Sequence, residues 1–168
     1  AGIVLTASHN PPEYNGYKVY WNDGGQIVPP EDKEIVEAID QVDYKDVNYD
    51  RQQDEIKIIP DDLEKEYIAD CHKYVLQDST KGRDQLKIVF TPIHGTSVHL
   101  LPRTLYSAGF RNIFLVEDQL KPSGDFPTVK SPNPEEPEAL AKAIELAKET
   151  EADILIGTDP DADRLGVG

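Results

Sequence analysis

The sequence predicts an α/β protein built on a three-layer parallel-sheet domain, with a piece of another domain ahead of it. Three observations predict this. From Leu86 onward the apolar runs alternate strand, helix, strand, helix, strand, which is the signature of a parallel sheet with right-handed crossovers. Two short apolar runs, Ala1 to Leu5 and Ile154 to Ile156, each halt at a polar loop, as buried strands do. At 168 residues there is room for one ordinary domain, or for one plus a piece of a second.

Taken in order, the apolar and β-branched run Ala1 to Leu5 predicts a buried strand. It feeds Thr6-Ala7-Ser8-His9-Asn10-Pro11-Pro12, where two prolines stop any regular element and leave Ser8, His9 and Asn10 on a loop. Asn15-Gly16 is a hairpin-turn signal. Beyond it, Tyr17, Val19 and Trp21 alternate with Lys18, Tyr20 and Asn22 as in a half-buried strand, whose polar face carries Lys18 toward the Ser8 loop. A helix is expected over Glu31 to Asp40, with Ile35, Val36 and Ile39 as its apolar stripe. The first ~55 residues hold too few strands for a core of their own. A boundary near Ile58-Ile59-Pro60 separates residues 1–58 from residues 59–168.

Asp61 or Asp62 should cap a helix running to about Leu76, with Leu63, Tyr67, Cys71 and Val75 on one face. Cys71 is expected there as a buried thiol packing as a small hydrophobe. Leu86 to Phe90 reads as a strand, Thr91 to Ser97 as its exit loop, and Val98 to Ala108 as a helix whose start Pro102 constrains. Asn112 to Val116 is a second strand. Glu135 to Glu149 is a helix with Leu140, Ala143, Ile144 and Ala147 facing inward, and Ala152 to Gly157 is a third strand. Functional loops gather at the carboxyl ends of strands in such sheets. Thr91–Ser97 and Thr158–Arg164 both lie there, although Thr96 and Ser97 on their own read as a helix cap.

The second of these loops carries the chemistry. Gly157-Thr158-Asp159-Pro160-Asp161-Ala162-Asp163-Arg164 places aspartates at every second position, on one side of an extended segment. Like charges that close repel unless a cation sits among them, and hard oxygen donors favour Mg²⁺, Mn²⁺ or Ca²⁺. An EF-hand fails on counting: with Asp159 first, Arg164 occupies the sixth position, where that loop needs glycine. An acidic surface turn remains open on composition. At the Ser8 loop, adjacent Ser and His seldom present their side chains to each other. The Gly-x-Ser-x-Gly of a nucleophile elbow is absent, so Ser-His-Asn by itself reads as a capping turn.

Thr-Ala-Ser-His-Asn-Pro-x-x-Tyr-Asn-Gly-Tyr-Lys at 6–18 resembles the phosphoserine loop of the α-D-phosphohexomutases, the phosphoglucomutases and phosphomannomutases. Gly-Thr-Asp-Pro-Asp-Ala-Asp-Arg at 157–164 resembles their Mg²⁺ loop, and the stretch from Phe126-Pro127 through Pro132-Asn133-Pro134-Glu135-Glu136-Pro137-Glu138 is similar to a segment of the same family. The motifs stand in family order along nearly the whole chain. The resemblance implies a fragment reaching from the phosphoserine loop to the metal loop: the end of the family's first domain and most of its second. The sugar-recognition and phosphate-binding loops belong to later domains, so the isolated fragment is expected to be inactive.

The same resemblance implies the roles. Ser8 carries the transferable phosphoryl group and, with Asp159, Asp161 and Asp163, holds Mg²⁺. Lys18 serves proton transfer or charge stabilisation. Arg164 neutralises negative charge or meets substrate phosphate, with a salt bridge to the aspartates as the alternative. His9 and Asn10 shape the loop and bond phosphate, the Thr91–Ser97 loop lies near the metal loop, and His94 orders that loop. His72 and His99 have no motif behind them and read as structural. The implied partners are glucose 1-phosphate, glucose 6-phosphate and glucose 1,6-bisphosphate. Glucose is favoured because Pro160 and Ala162 stand where many phosphomannomutase-type members have glycines. A metal-dependent sugar-phosphate phosphatase and a non-catalytic binding module are the competing classes.

Charge narrows the partners further. Residues 31–70 hold fifteen acids against five bases, so −10 of the chain's net −15 lies there. A solvated acidic face of this kind argues against nucleic-acid or anionic-membrane partners, which need basic patches. A single cysteine allows no internal disulfide, and no run reaches the ~18 apolar residues of a membrane span. The expected protein is soluble and cytoplasmic.

Overall fold

In the computed structural model, which describes residues 1–50, 56–74 and 80–168, the chain divides into two compact units. One comprises Ala1–Thr6 and Gly16–Pro60, the other Ala7–Asn15 and Asp61–Gly168.

The smaller unit is a two-stranded antiparallel ribbon with a helix. Strand β1 (Gly2–Leu5) pairs with β2 (Tyr17–Tyr20), Val4 opposite Lys18. The burial expected of Ala1 to Leu5 is overturned. Ile3 and Leu5 are 67% and 82% exposed, because a two-stranded ribbon cannot enclose its own side chains. Asn15-Gly16 is also not the hairpin turn. Residues 6–16 all lie between the strands, and Gly16 instead ends that loop, its carbonyl accepting from the Thr6 N–H at 3.0 Å. A Cβ at Gly16 would stand 2.9 Å from the Thr6 oxygen, so the close approach needs glycine.

Helix α1 spans Glu31–Asp40, the bounds expected, with Glu31, Asp32 and Glu34 in its first turn, where carboxylates complement the helix dipole. Its stripe is less buried than expected: Ile35 is partly covered, while Val36 and Ile39 are exposed.

The larger unit begins its regular structure with α2 (Asp61–Lys73). Asp61 and Asp62 lie in its first turn rather than capping it. Leu63 and Tyr67 are exposed, and the partly covered side is Ile68, Cys71 and His72. Cys71 is thus half-buried, not buried. Steps of four overshoot a 3.6-residue turn by about 40° each, so the row through 63, 67 and 71 wraps away from the covered side. The expected continuation through Val75 and Leu76 lies outside the described residues.

Strand β3 (Lys87–Thr91), helix α3 (Leu100–Ser107), strand β4 (Asn112–Leu115), helix α4 (Ala141–Thr150) and strand β5 (Ile154–Thr158) follow, then β6 (Leu165–Val167). Sheet order is β4-β3-β5-β6. The first three are parallel, and β6 returns antiparallel to β5, so the sheet is mixed rather than purely parallel. Pro102 sits at the third position of α3, where a missing N–H breaks no intrahelical bond. Helix α4 starts six residues later than the periodicity expects: Pro134 to Leu140 form successive turns, and Pro137 cannot donate to a helix.

The register puts Val89 beside Phe114 and Leu155 on one sheet face. They pack with Leu140, Ala143, Ile144 and Ala147 of the α4 segment, which are the inward positions expected. Ile88 and Phe90 point to the other face and are also buried. On that face Ile113 and Leu115 share a cleft with Ile68 of α2 and Pro102 of α3. The result is helix, sheet, helix, with β3 and β5 central and their carboxyl ends leading into the two loops singled out above. Among the described residues no helix is long and apolar enough to cross a membrane.

Candidate metal centre

Three loops of the larger unit meet at the carboxyl ends of β3 and β5. The hairpin between β5 and β6 supplies the carboxylates. One oxygen each from Asp159, Asp161 and Asp163 can be chosen so that all three lie within 4.8 Å of one another. Oxygen ligands that surround one cation at roughly 2.0–2.6 Å fall within such a span, and the donor set is all oxygen, as Mg²⁺ requires. Burial grades along the loop: Asp159 is fully buried, Asp161 partly and Asp163 exposed. The Oδ1 atom of Asp161 is itself shut off from solvent. Carboxylates brought together and part-buried in this way fit a divalent cation, since water alone does not offset their repulsion there.

Asp159 is the anchor. Its Oδ1 accepts from the Arg164 backbone N–H at 2.9 Å, and its Oδ2 accepts from Ser8 Oγ at 3.0 Å. Burial pushes its carboxyl above the ordinary aspartate range; the Arg164 N–H opposes that, while the neighbouring Asp161 carboxyl adds to it. The hairpin turns through Ala162, whose φ is +62° and whose N–H donates to the Asp159 carbonyl at 3.0 Å.

The second loop brings the serine. Ser8 has φ +53°, and its Oγ lies 3.1 Å from His9 Nδ1 as well as 3.0 Å from Asp159. The Ser–His pair, although sequence neighbours seldom present their side chains to each other, is in contact: the left-handed backbone at Ser8 turns its hydroxyl toward the ring. Asn10 is exposed and its N–H closes a turn on the Ala7 carbonyl. Lys18 belongs to the smaller unit, partly covered on β2.

Arg164 does not bridge to the aspartates. Its guanidinium pairs with Glu135 at 3.0 Å, and only its backbone N–H serves Asp159. The hairpin aims the side chain outward once that N–H is committed inward.

The third loop, after β3, was legible as a strand exit but not in its role. Thr96 and Ser97 begin a short 3₁₀ turn, and no side chain caps it, so the capping expectation is overturned. Their hydroxyls reach across to the acidic hairpin: Thr96 Oγ1 donates to the Pro160 carbonyl at 3.0 Å, and Ser97 Oγ pairs with Thr158 Oγ1 at 2.6 Å. His94, 4% exposed, orders the loop as expected. Its Nδ1 meets the Lys121 carbonyl, so Nε2 faces the Thr128 hydroxyl as acceptor, each at 2.9 Å. The chain of bonds continues from Gln119 Nε2 to Thr128, from Thr91 Oγ1 to Gln119 Oε1, and from the Ile93 N–H to Thr91. Each donor finds an acceptor, as a buried polar network needs in order to be rigid.

Gln119, Thr128 and Gly95 escaped the sequence reading. The signal for Gly95 was present, a glycine directly after a histidine in a strand-exit loop. Of the six non-glycine residues with positive φ among those described, Ser8, Ile93, His94 and Ala162 all sit in these three loops. Such strain persists where surrounding structure over-determines the backbone, commonly at functional sites.

Comparison with known proteins returns one family along the chain. The phosphoglucomutase/phosphomannomutase alpha/beta/alpha domain I matches residues 1–46, and domain II of the same family matches residues 65–168. A Haemophilus influenzae protein assigned as a phosphomannomutase is 43% identical over 170 residues, covering 99% of this chain and 34% of its own. A Staphylococcus epidermidis phosphoglucomutase is 41% identical over 172 residues, with 99% and 31% covered. The crystal structure of a candidate phosphomannomutase from Thermus thermophilus superposes with a TM-score of 0.73 at 26% identity, over 99% of this chain and 36% of that one. The chain thus spans about a third of the length of the curated relatives it matches.

Proposed function

The chain belongs to the phosphoglucomutase/phosphomannomutase family, and we propose from this premise that it supplies the phosphoryl-carrying and metal-holding half of a cytoplasmic phosphohexomutase. The reaction interconverts hexose 1-phosphate and hexose 6-phosphate through a hexose 1,6-bisphosphate. Glucose is the favoured sugar, on the Pro160 and Ala162 form of the acidic loop. The observation that supports the mechanism best is the 3.0 Å contact between Ser8 Oγ and Asp159 Oδ2, which sets a nucleophilic oxygen at the edge of a carboxylate triad.

In this reading Ser8 Oγ carries the phosphoryl group at rest. The 6-hydroxyl of a hexose 1-phosphate attacks that phosphorus, the bond to Ser8 Oγ breaks, and the hydroxyl proton passes by way of a base to Ser8 Oγ. The bisphosphate then turns over in the site. Ser8 Oγ attacks the phosphorus at the sugar's 1-position; the bond from that phosphorus to the sugar's O1 breaks, the serine proton passes by way of a base to O1, and hexose 6-phosphate departs. Asp159, Asp161, Asp163 and Ser8 would hold Mg²⁺, which when bound supplies positive charge against that of the transferred group. His9, beside Ser8, and Asn10 shape the loop and bond phosphate. Lys18 is the proposed group for proton transfer or charge stabilisation at the reacting oxygen. Arg164, whose guanidinium pairs with Glu135, is the proposed contact for a substrate phosphate.

The test is a phosphosugar panel on the native-length enzyme, with Ser8→Ala as control. Glucose 1-phosphate, mannose 1-phosphate and ribose 1-phosphate are offered with Mg²⁺ and a trace of the matching bisphosphate. Isomerisation that prefers glucose and vanishes in the variant is the expected result. A preference for mannose or ribose overturns the sugar but keeps the mechanism. Release of free phosphate without isomerisation means a phosphatase.

A further inference from the structure

We propose that Thr96 is a positioning residue for the acidic loop, acting through the Pro160 carbonyl to hold Asp159 and Asp161 at cation-binding separation. This rests on the triad being a metal site. Pro160 stands between the two carboxylates in the chain, and a proline has no N–H, so its carbonyl is the only backbone polar group through which that position can be gripped. Thr96 grips it twice: its N–H donates to that oxygen at 2.9 Å and its Oγ1 at 3.0 Å.

The surrounding structure is built for this grip. A Cβ on Gly95 would stand 2.6 Å from the Pro160 Cα and 2.7 Å from its oxygen, so the loops reach this distance only with glycine there. One residue further on, the buried Ser97–Thr158 contact holds the position just before Asp159. The gripping loop is itself fixed from below by the His94 network. The clamp therefore works against the mutual repulsion of three carboxylates, which disfavours their close approach when no cation sits among them. Groups that orient metal ligands from behind commonly alter affinity by 10–100-fold when removed. Losing one hydroxyl of a paired grip, with the N–H retained, is worth less, roughly three- to tenfold.

The experiment is a Mn²⁺ titration of the native-length protein, followed by calorimetry and by the Mn²⁺ spin-resonance signal, on wild type, Thr96→Val, Thr96→Ser, Gly95→Ala and Asp161→Asn. Thr96→Val keeps size and N–H but loses the hydroxyl; it should bind Mn²⁺ about fivefold more weakly with its metal-free melting temperature little changed. Thr96→Ser, which keeps the hydroxyl, should restore affinity to within about twofold, which a purely steric role would not require. Gly95→Ala should weaken binding at least as much as the valine variant. Equal affinity in Thr96→Val and wild type, with Asp161→Asn impaired, overturns the positioning role alone. Absence of Mn²⁺ binding in wild type, or full binding in Asp161→Asn, overturns the metal reading and the proposal with it.

Discussion

Ser8 Oγ donates to Asp159 Oδ2 at 3.0 Å, joining residues 151 positions apart in the chain. The carboxylate that receives this bond is fully buried and is held from its other side by the Arg164 N–H. The serine is therefore tied to the most buried of the three aspartates, and the left-handed backbone at Ser8 points it there. A hydroxyl and a carboxylate cluster placed this way share one electrostatic environment, so a change in either is felt by the other.

That coupling makes Ser8→Ala informative twice. In the native-length enzyme, isomerase activity should fall below detection, since the oxygen proposed to accept the phosphoryl group is gone. Metal-free stability should fall by only about 1 kcal/mol, the usual net worth of one hydrogen bond. Activity assays together with urea melts check both. Residual isomerisation at more than a thousandth of wild type would mean that another oxygen carries the phosphoryl group.

Asp159→Asn should stabilise the metal-free protein at neutral pH. Burial raises the Asp159 pKa from its ordinary 3.8. Between that value and the raised one, the folded state keeps a proton that the unfolded state has lost, so stability falls as pH rises through the folded pKa. Below 3.8 the cost disappears. Asparagine carries no charge; its oxygen can accept from the Arg164 N–H and its amide N–H can donate to Ser8 Oγ, so the variant should melt higher than wild type at pH 7 and show no advantage at pH 3. Mg²⁺ should raise the melting temperature of wild type but not of the variant. Thermal melts across pH, with and without Mg²⁺, read all three effects; equal melting at pH 7 without metal sinks the argument.

What could be read from the sequence was what local pattern determines. Helix α1 begins after Pro29-Pro30 as expected, the parallel strands fall within a residue or two of their apolar runs, and both chemical loops lie at strand ends. Features set by distant partners were not legible. Thr96 and Ser97 read locally as a cap, and only the folded chain shows their hydroxyls spent on Pro160 and Thr158. The reversal of β6 depends on the Ala162 turn, where alanine adopts a conformation that composition does not announce. The run at β1 reads as buried because period and hydrophobicity say nothing about whether another layer covers it. The family resemblance rests on motif order, and that is why it reached the serine–aspartate site that periodicity could not.

The two glycines flanking the acidic hairpin should differ in their tolerance of alanine. A Cβ at Gly157 would come 2.3 Å from Leu140 Cδ2, the far end of a flexible side chain, whereas one at Gly166 would come 2.5 Å from the Pro134 backbone carbonyl. A side chain can change rotamer and a backbone carbonyl cannot, so Gly157→Ala should cost about 1 kcal/mol and Gly166→Ala about 3 kcal/mol. Gly166→Ala should also weaken Mn²⁺ binding, because pushing β6 from Pro134 shifts the end of the hairpin. Denaturant unfolding of both variants checks the order, and the reverse order would contradict the contact geometry.

Arg164 separates a backbone role from a side-chain role. Its N–H holds Asp159, while its guanidinium pairs with Glu135 across a surface where both partners are substantially exposed. An exposed pair of this kind is worth about 0–1 kcal/mol. Arg164→Ala should therefore leave stability within about 1 kcal/mol and leave Mn²⁺ affinity nearly unchanged, since the N–H remains. If the guanidinium swings from Glu135 to a substrate phosphate, the variant should lose turnover chiefly through a raised KM. Glu135→Gln, which frees the guanidinium without removing it, should leave KM equal or lower. Steady-state kinetics on the two variants decide the matter: a raised KM in both would assign Arg164 to holding Glu135 and the segment it belongs to, and not to the substrate.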